Sequence, residues 1–208
     1  MVRFHAGARM NRGKTDVLHS RETYGEMPMV TPFHGDIPER FVSWSNRKRA
    51  RPEDGIHFFT SDDRFERIWE RPDEASRWVE GRVITGPDFS LYPQWPDALL
   101  RWNLYRARWL ARALEARGAR VIPTACWPDA RFCWFGGIAM GGTVAISAYG
   151  AKRAGSAFGS GYESMCHCVQ PARVLVIGGV MPGWLKSDAR VVYRPAGTIG
   201  DRNGRTRK

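Results

Sequence analysis

The sequence predicts an α/β fold: about five mostly parallel strands with crossover helices, as a partial (β/α) barrel or an open sheet, with basic irregular arms at both ends. Three observations predict it. Short apolar runs alternate with segments of helical period, the pattern of a parallel sheet with crossovers. Most runs stop at Gly, Pro or Ser/Asp, the residues that turn a chain. The chain carries 32 Lys+Arg against 21 Asp+Glu, a formal net charge of +11, and the excess sits mainly at the ends.

Residues 1–35 are rich in Gly, Arg, Met and Pro without a sustained period, so an extended arm is expected, packed at Met27–Phe33. Residues 36–53 add Phe41, Val42 and Trp44, then the cluster Arg47-Lys48-Arg49-Ala50-Arg51. Gly55-Ile56-His57-Phe58-Phe59-Thr60 reads as a strand, and Asp62 or Asp63 can cap a following helix through Phe65, Ile68 and Trp69. A short helix after Pro72 carries Trp78 and Val79. Arg82–Thr85 is a strand ending at Gly86-Pro87-Asp88. Pro96 and Asp97 open a long helix, Ala98 to Arg117, closed by Gly118. Strands follow at Ala119–Ala125 and Gly142–Ala148, then a helix over Phe158–Cys168 and a strand over Arg173–Ile177. The expected organisation is a basic arm over 1–53, an α/β domain over 54–185 and a basic tail over 186–208.

Charge narrows the partner. Residues 54–100 carry ten Asp/Glu against five Lys/Arg, whereas residues 101–120 carry one against six. Of the 32 basic residues only five are lysine, and arginine makes planar, bidentate contacts to phosphate. The candidate nucleic-acid contacts are Arg47, Lys48, Arg49 and Arg51, the helix-face residues Arg101, Arg108 and Arg112, and Arg205, Arg207 and Lys208 in the tail. On the long helix Leu99, Trp102, Trp109, Leu110 and Ala113 form the expected buried stripe, with Trp69 and Trp78 also read as core. Arg106 falls on or beside that stripe, and a buried Arg needs an anionic partner. Asp88 is the leading expectation for it.

If the strands are parallel, the residues after their ends converge on one rim. Those are Asp62, Asp88 with Ser90, Trp127, Ser147 and Tyr149, with Asn103 one helical turn before Arg106. Other patterns carry less. Cys166-His167-Cys168 has poor spacing for structural zinc, so no metal is assigned. Gly136-Gly137 and Gly141-Gly142 lack the Lys-Ser/Thr of a phosphate loop. No helix-turn-helix or zinc finger is visible. The first residues lack an apolar signal core and no run is long enough to span a membrane, so a reduced, cytoplasmic protein without a membrane partner is expected.

Gly86-Pro87-Asp88-Phe89-Ser90-Leu91-Tyr92, Trp102-Asn103-Leu104-Tyr105-Arg106 and Arg120-Val121-Ile122-Pro123-Thr124 with Trp127 resemble a domain-of-unknown-function family of bacteria, plasmids and phages, catalogued as four-four-one-seven. Thr143–Ser147, Gly161-Tyr162 and Gln170–Val176 extend the resemblance over roughly residues 55–179. The resemblance brings no catalytic residues with it; it implies a phage or mobile-element protein.

Three functions compete. The first is an accessory protein of DNA replication or recombination that binds nucleic acid or a DNA-bound protein, with no cofactor. The second is a hydrolase or nuclease in which Asp62 and Asp88 hold a divalent metal or act as base and Arg106 holds an anionic substrate. The third is a non-catalytic interaction module.

Overall fold

The computed structural model describes Lys14 and residues 23–24, 27–129, 132–149 and 151–195. A two-residue antiparallel pair, β1 (Thr23–Tyr24) and β2 (Met27–Pro28), precedes the main array. Four parallel strands then lie side by side in chain order: β3 (Phe41–Ser43), β4 (Gly55–His57), β5 (Val83–Thr85) and β6 (Arg120–Ile122). A second parallel sheet holds β7 (Thr143–Ser147), β8 (Arg173–Ile177) and β9 (Val191–Arg194), again in chain order. The extension of β6 stitches the sheets together. Thr124 bridges Ala145 in parallel, with Ala125 N–H donating to Ala145 O at 2.9 Å and Ala145 N–H to Pro123 O at 2.8 Å.

The crossovers supply α1 (Glu66–Glu70), α2 (Ser76–Val79), α3 (Asp97–Glu115), α4 (Ala151–Ala154) and α5 (Ser156–Val169). Alternation along each strand sorts its side chains between two faces. Ile56, Ile84 and Val121 pack under α1–α3 with Trp69, Leu110 and Leu114. Val144, Ile146, Val174 and Val176 pack under α5 with Phe158 and Met165. The opposite faces meet each other: Phe41, Val83 and Ile122 join Ala145, Leu175 and Ile177 in one inner cluster. The seven strands thus curl around a shared interior without closing. Instead of a ladder between β9 and β3, Arg194 Nε donates to Pro38 O at 2.9 Å and pairs with Glu39 at 3.2 Å.

The α/β character and the parallel, crossover-linked strands are as the sequence predicts. Four strands lie where arms were expected, β1, β2 and β3 before residue 54 and β9 after residue 185. Val191-Val192-Tyr193 is a β-branched and aromatic run whose basic neighbours masked its strand signal.

The apolar stripe of α3 is buried as expected at Trp109, Leu110 and Ala113 and is rotated in the first half of the helix. Leu99 is 47% exposed and Trp102 40%, while Leu100, Asn103, Leu104, Ala107 and Arg108 are buried. A helix held between a sheet and the loops beyond it buries a broad face, so small Ala107 and Ala111 go inward where close approach is needed, and bulky Trp102 is left partly outside. Trp102 stacks on Tyr105 at 5.8 Å and meets the edge of Trp69 instead of entering the core.

Candidate functional site

The C-terminal ends of β4, β5, β6 and β7 open into one cleft of about 640 Å³. In a parallel array this is where successive loops meet and where ligand-facing side chains gather. Asp88, Ser90, Trp127, Ser147 and Tyr149, all rim candidates from the sequence, line it together with Thr60, Ser61 and Cys126. Among the described side chains no Lys or Arg lines the cleft.

Asp88 stands three residues past β5 as the cleft's carboxylate. Burial pushes its carboxyl up to about 7, and the nearby Asp62 carboxylate adds to the rise. The Cys126 thiol donates a hydrogen bond to it, and the Arg108 guanidinium acts at longer range; both oppose the rise. Cys126 itself is driven well above the ordinary thiol range, first by burial and then by the Asp88 charge. It is therefore held as the neutral thiol, able to donate that hydrogen bond.

Asp62 is adjacent but occupied. Its carboxylate accepts from Ser90 N–H at 3.2 Å and from Ser90 Oγ at 3.0 Å. Asn103 Nδ2 donates to Ser90 O at 2.8 Å, so Asn103 holds the loop from behind instead of facing a ligand. Among the described residues no three His, Cys, Asp or Glu side chains converge as a metal-ligand group.

Arg106 does not pair with Asp88. It pairs with Glu66, reaches Asn103 Oδ1 at 3.3 Å and lies 3.9 Å over the Phe89 ring. Glu66 is on α1, which packs alongside α3, whereas Asp88 sits beyond the strand end, on the side of the helix that Arg108 faces. Arg108 is only 1% exposed, which removes it from the expected basic face. Its Nε donates to Gly136 O at 3.0 Å and its Nη1 to Thr124 O at 2.8 Å. Arg108 thus ties the rim loop after β6 to the Gly136-Gly137 turn. The signal that could have found it is spacing: Arg108 follows Leu104 and Leu100 by four and eight residues, inside the buried face.

The other basic candidates divide. Arg112 is engaged by Glu115 at 2.8 Å and by Thr31 at 3.1 Å. Arg101 is exposed, with its guanidinium 4.5 Å from the Trp134 ring centroid. Lys48, Arg49 and Arg51 are exposed at the turn after β3, Arg51 lying 4.0 Å from Glu53, and Arg47 stacks on Trp44. Arg205, Arg207 and Lys208 lie outside the described residues.

One wall of the cleft depends on two glycines. Gly178, in the left-handed region at φ +68, leaves room for the Tyr149 ring, and a side chain there would collide with it. On α5, the face of Gly161 receives the Trp127 indole, which also packs against Phe158 at 5.5 Å. Gly161→Ala is therefore expected to destabilise the fold by about 1–3 kcal/mol through overpacking. It should also displace Trp127, read as a changed tryptophan emission. Unchanged stability would mean that the indole is free to move.

No helix among the described residues is long and apolar enough to cross a membrane, and none of the four cysteines forms a disulfide. No solved structure matches the chain. The chain is 37% identical over 182 residues to the Gene 1 protein of Mycobacterium phage L5, covering 80% of this chain and 79% of the relative. It is 36% identical over 182 residues to the Gene 1 protein of Mycobacterium phage D29, covering 80% of this chain and 67% of the relative. A family model described as Domain of unknown function (DUF4417) matches residues 21–192, from before β1 into β9. With that span and those relatives, the chain belongs to this phage-associated family.

Proposed function

We propose that the rim cleft is an acid–base site and that Asp88 carries the proton. The observation behind this reading is a carboxyl group poised near neutrality where four consecutive parallel strands end in one cleft. A group of this kind can give a proton to a ligand atom and take one back at the same pH. With the Asp62 carboxylate held by Ser90 and no three-ligand group among the described residues, the two-metal form of the reading loses its motivation. The hydroxyls of Thr60, Ser61, Ser90 and Ser147 beside Trp127 and Tyr149 suit an uncharged polar ligand with a flat or ring-like face. Carbon-detected NMR of carboxyl groups across pH in the intact chain tests it. The Asp88 signal should titrate with a midpoint near 7 and vanish in Asp88→Asn; a midpoint below 5 would remove the acid–base role.

A second reading places the chain in DNA metabolism, bound to nucleic acid or to a DNA-bound protein. It is favoured by Arg47 and Lys48 after β3, which no carboxylate among the described residues pairs with.

A further inference from the structure

We infer that a groove beside the β3 edge binds the phosphate backbone of single-stranded nucleic acid. The inference rests on the second reading above and moves its contact surface away from α3. The groove encloses about 700 Å³ between the turn Trp44–Arg49 and the segment from α1 to α2. Five cations line it, Arg47, Lys48, Arg64, Arg67 and Arg77, against two carboxylates, Asp73 and Glu74.

Both carboxylates are already occupied. Asp73 pairs with Arg117 at 2.6 Å, and Glu74 with Arg67 at 2.5 Å and Arg71 at 3.5 Å. Among the described residues, no hydrogen bond or ion pair engages the side chain of Lys48 or Arg77, both exposed. Arg47 spends one N–H on Trp44 O at 2.9 Å, and its Nε is buried without a partner.

The arrangement around Trp78 carries the argument. The Arg77 guanidinium lies 4.9 Å from the indole centroid and the Arg47 guanidinium 5.5 Å, while Arg47 also covers Trp44 at 4.2 Å. Two guanidiniums share one ring, and no carboxylate among the described residues pairs with either. Burial and the Arg77 charge together lower the Arg47 pKa, which means that each cation disfavours the other. Folded chains relieve such repulsion with a carboxylate; here the nearest ones serve other arginines. A phosphate entering the groove would meet bidentate donors whose charge is uncompensated.

Three features select a single strand. The cations sit inside a groove and not on a broad convex face. The half-buried Trp78 indole lies among them, as in surfaces where bases stack while cations track the backbone, with Trp44 buried beneath Arg47 as its support. Lys48 and Arg49 continue the track along the exposed side of the turn.

Fluorescence anisotropy with the intact chain, a labelled oligothymidylate and a duplex of the same length, over a salt series, tests this. Lys48→Gln/Arg77→Gln removes two exposed charges. Arg101→Gln/Arg120→Gln removes the same charge elsewhere, and thermal melts verify that both fold. The parent chain should bind the single strand more tightly than the duplex at low salt. The groove pair should lose at least tenfold in affinity, with a salt slope shallower by about 1.4 for two lost phosphate contacts. The remote pair should keep most of the affinity. Equal losses from the two pairs, or none from the groove pair, would overturn the groove while leaving the nucleic-acid reading standing. Tighter binding to duplex would overturn the single-strand assignment. No binding by the parent at low salt would overturn both.

Discussion

Arg108→Ala is expected to lower the stability of the fold by about 4 kcal/mol, a large effect for one side chain. The side chain is buried to 1% exposure, and its removal strips Gly136 O and Thr124 O of their donors. Each carbonyl left unpaired costs on the order of 1–3 kcal/mol, and the emptied volume adds a cavity term. Arg108→Met separates the two contributions, because it refills most of the volume and restores neither hydrogen bond. A loss close to that of the alanine variant would assign the cost to the carbonyls. Urea unfolding with an unchanged m-value is the measurement. A deficit under 1 kcal/mol in both variants would show that water replaces the guanidinium and that Arg108 does not hold the rim. Arg108 also holds the Asp88 carboxyl down, so its loss should push that carboxyl still higher.

Asp88→Asn is expected to stabilise the chain at alkaline pH by roughly 2–4 kcal/mol, an advantage that disappears towards pH 4. The folded carboxyl titrates at about 7, above the unfolded value of 3.8. Between those values the native chain keeps a proton that the unfolded chain has released. Stability therefore falls as pH rises from about 4, and the penalty is complete once pH passes about 7. An amide at residue 88 carries no charge to bury, so this contribution is absent from the variant. Thermal melts of both chains from pH 4 to 9 should converge at the acid end and separate at the alkaline end. Parallel curves would show that the Asp88 carboxyl is not raised in the folded chain. Adding Arg108→Ala should give strongly non-additive effects, since Asp88 and Arg108 share one electrostatic environment.

Much of the array was legible in the sequence. Runs such as Arg173–Ile177 have turn residues after them and β-branched residues within, and parallel crossovers follow from their alternation with helices. The rim was legible for the same reason, because parallel strands carry the residues at their ends, Asp88, Trp127 and Ser147 among them, to one side. What could not be read was rotation about a helix axis. Arg106 and Arg108 are two residues apart, and which of them enters the protein depends on Ala107 and Ala111 approaching the sheet. Size-weighted periodicity favours large residues such as Trp102 and is blind to small ones. The partnership of Asp88 with Cys126 was hidden too, since thirty-eight positions of sequence separate them and only the adjacency of β5 and β6 joins them.

The stitch between the two sheets has a mechanical side. Within each half, strands are joined by ladders over their own cores, but between the halves the backbone contact next to the cleft is narrow, at Pro123, Ala125 and Ala145. Cys126 and Trp127 follow that stitch directly, so the acid's thiol partner and the aromatic wall stand on the seam. Asp88, on one half, and Ser147, on the other, line the cleft from the two sides of that seam. The cleft is thus a mouth opened over a seam whose backbone part is a few peptide units long, with the inner cluster packed behind it.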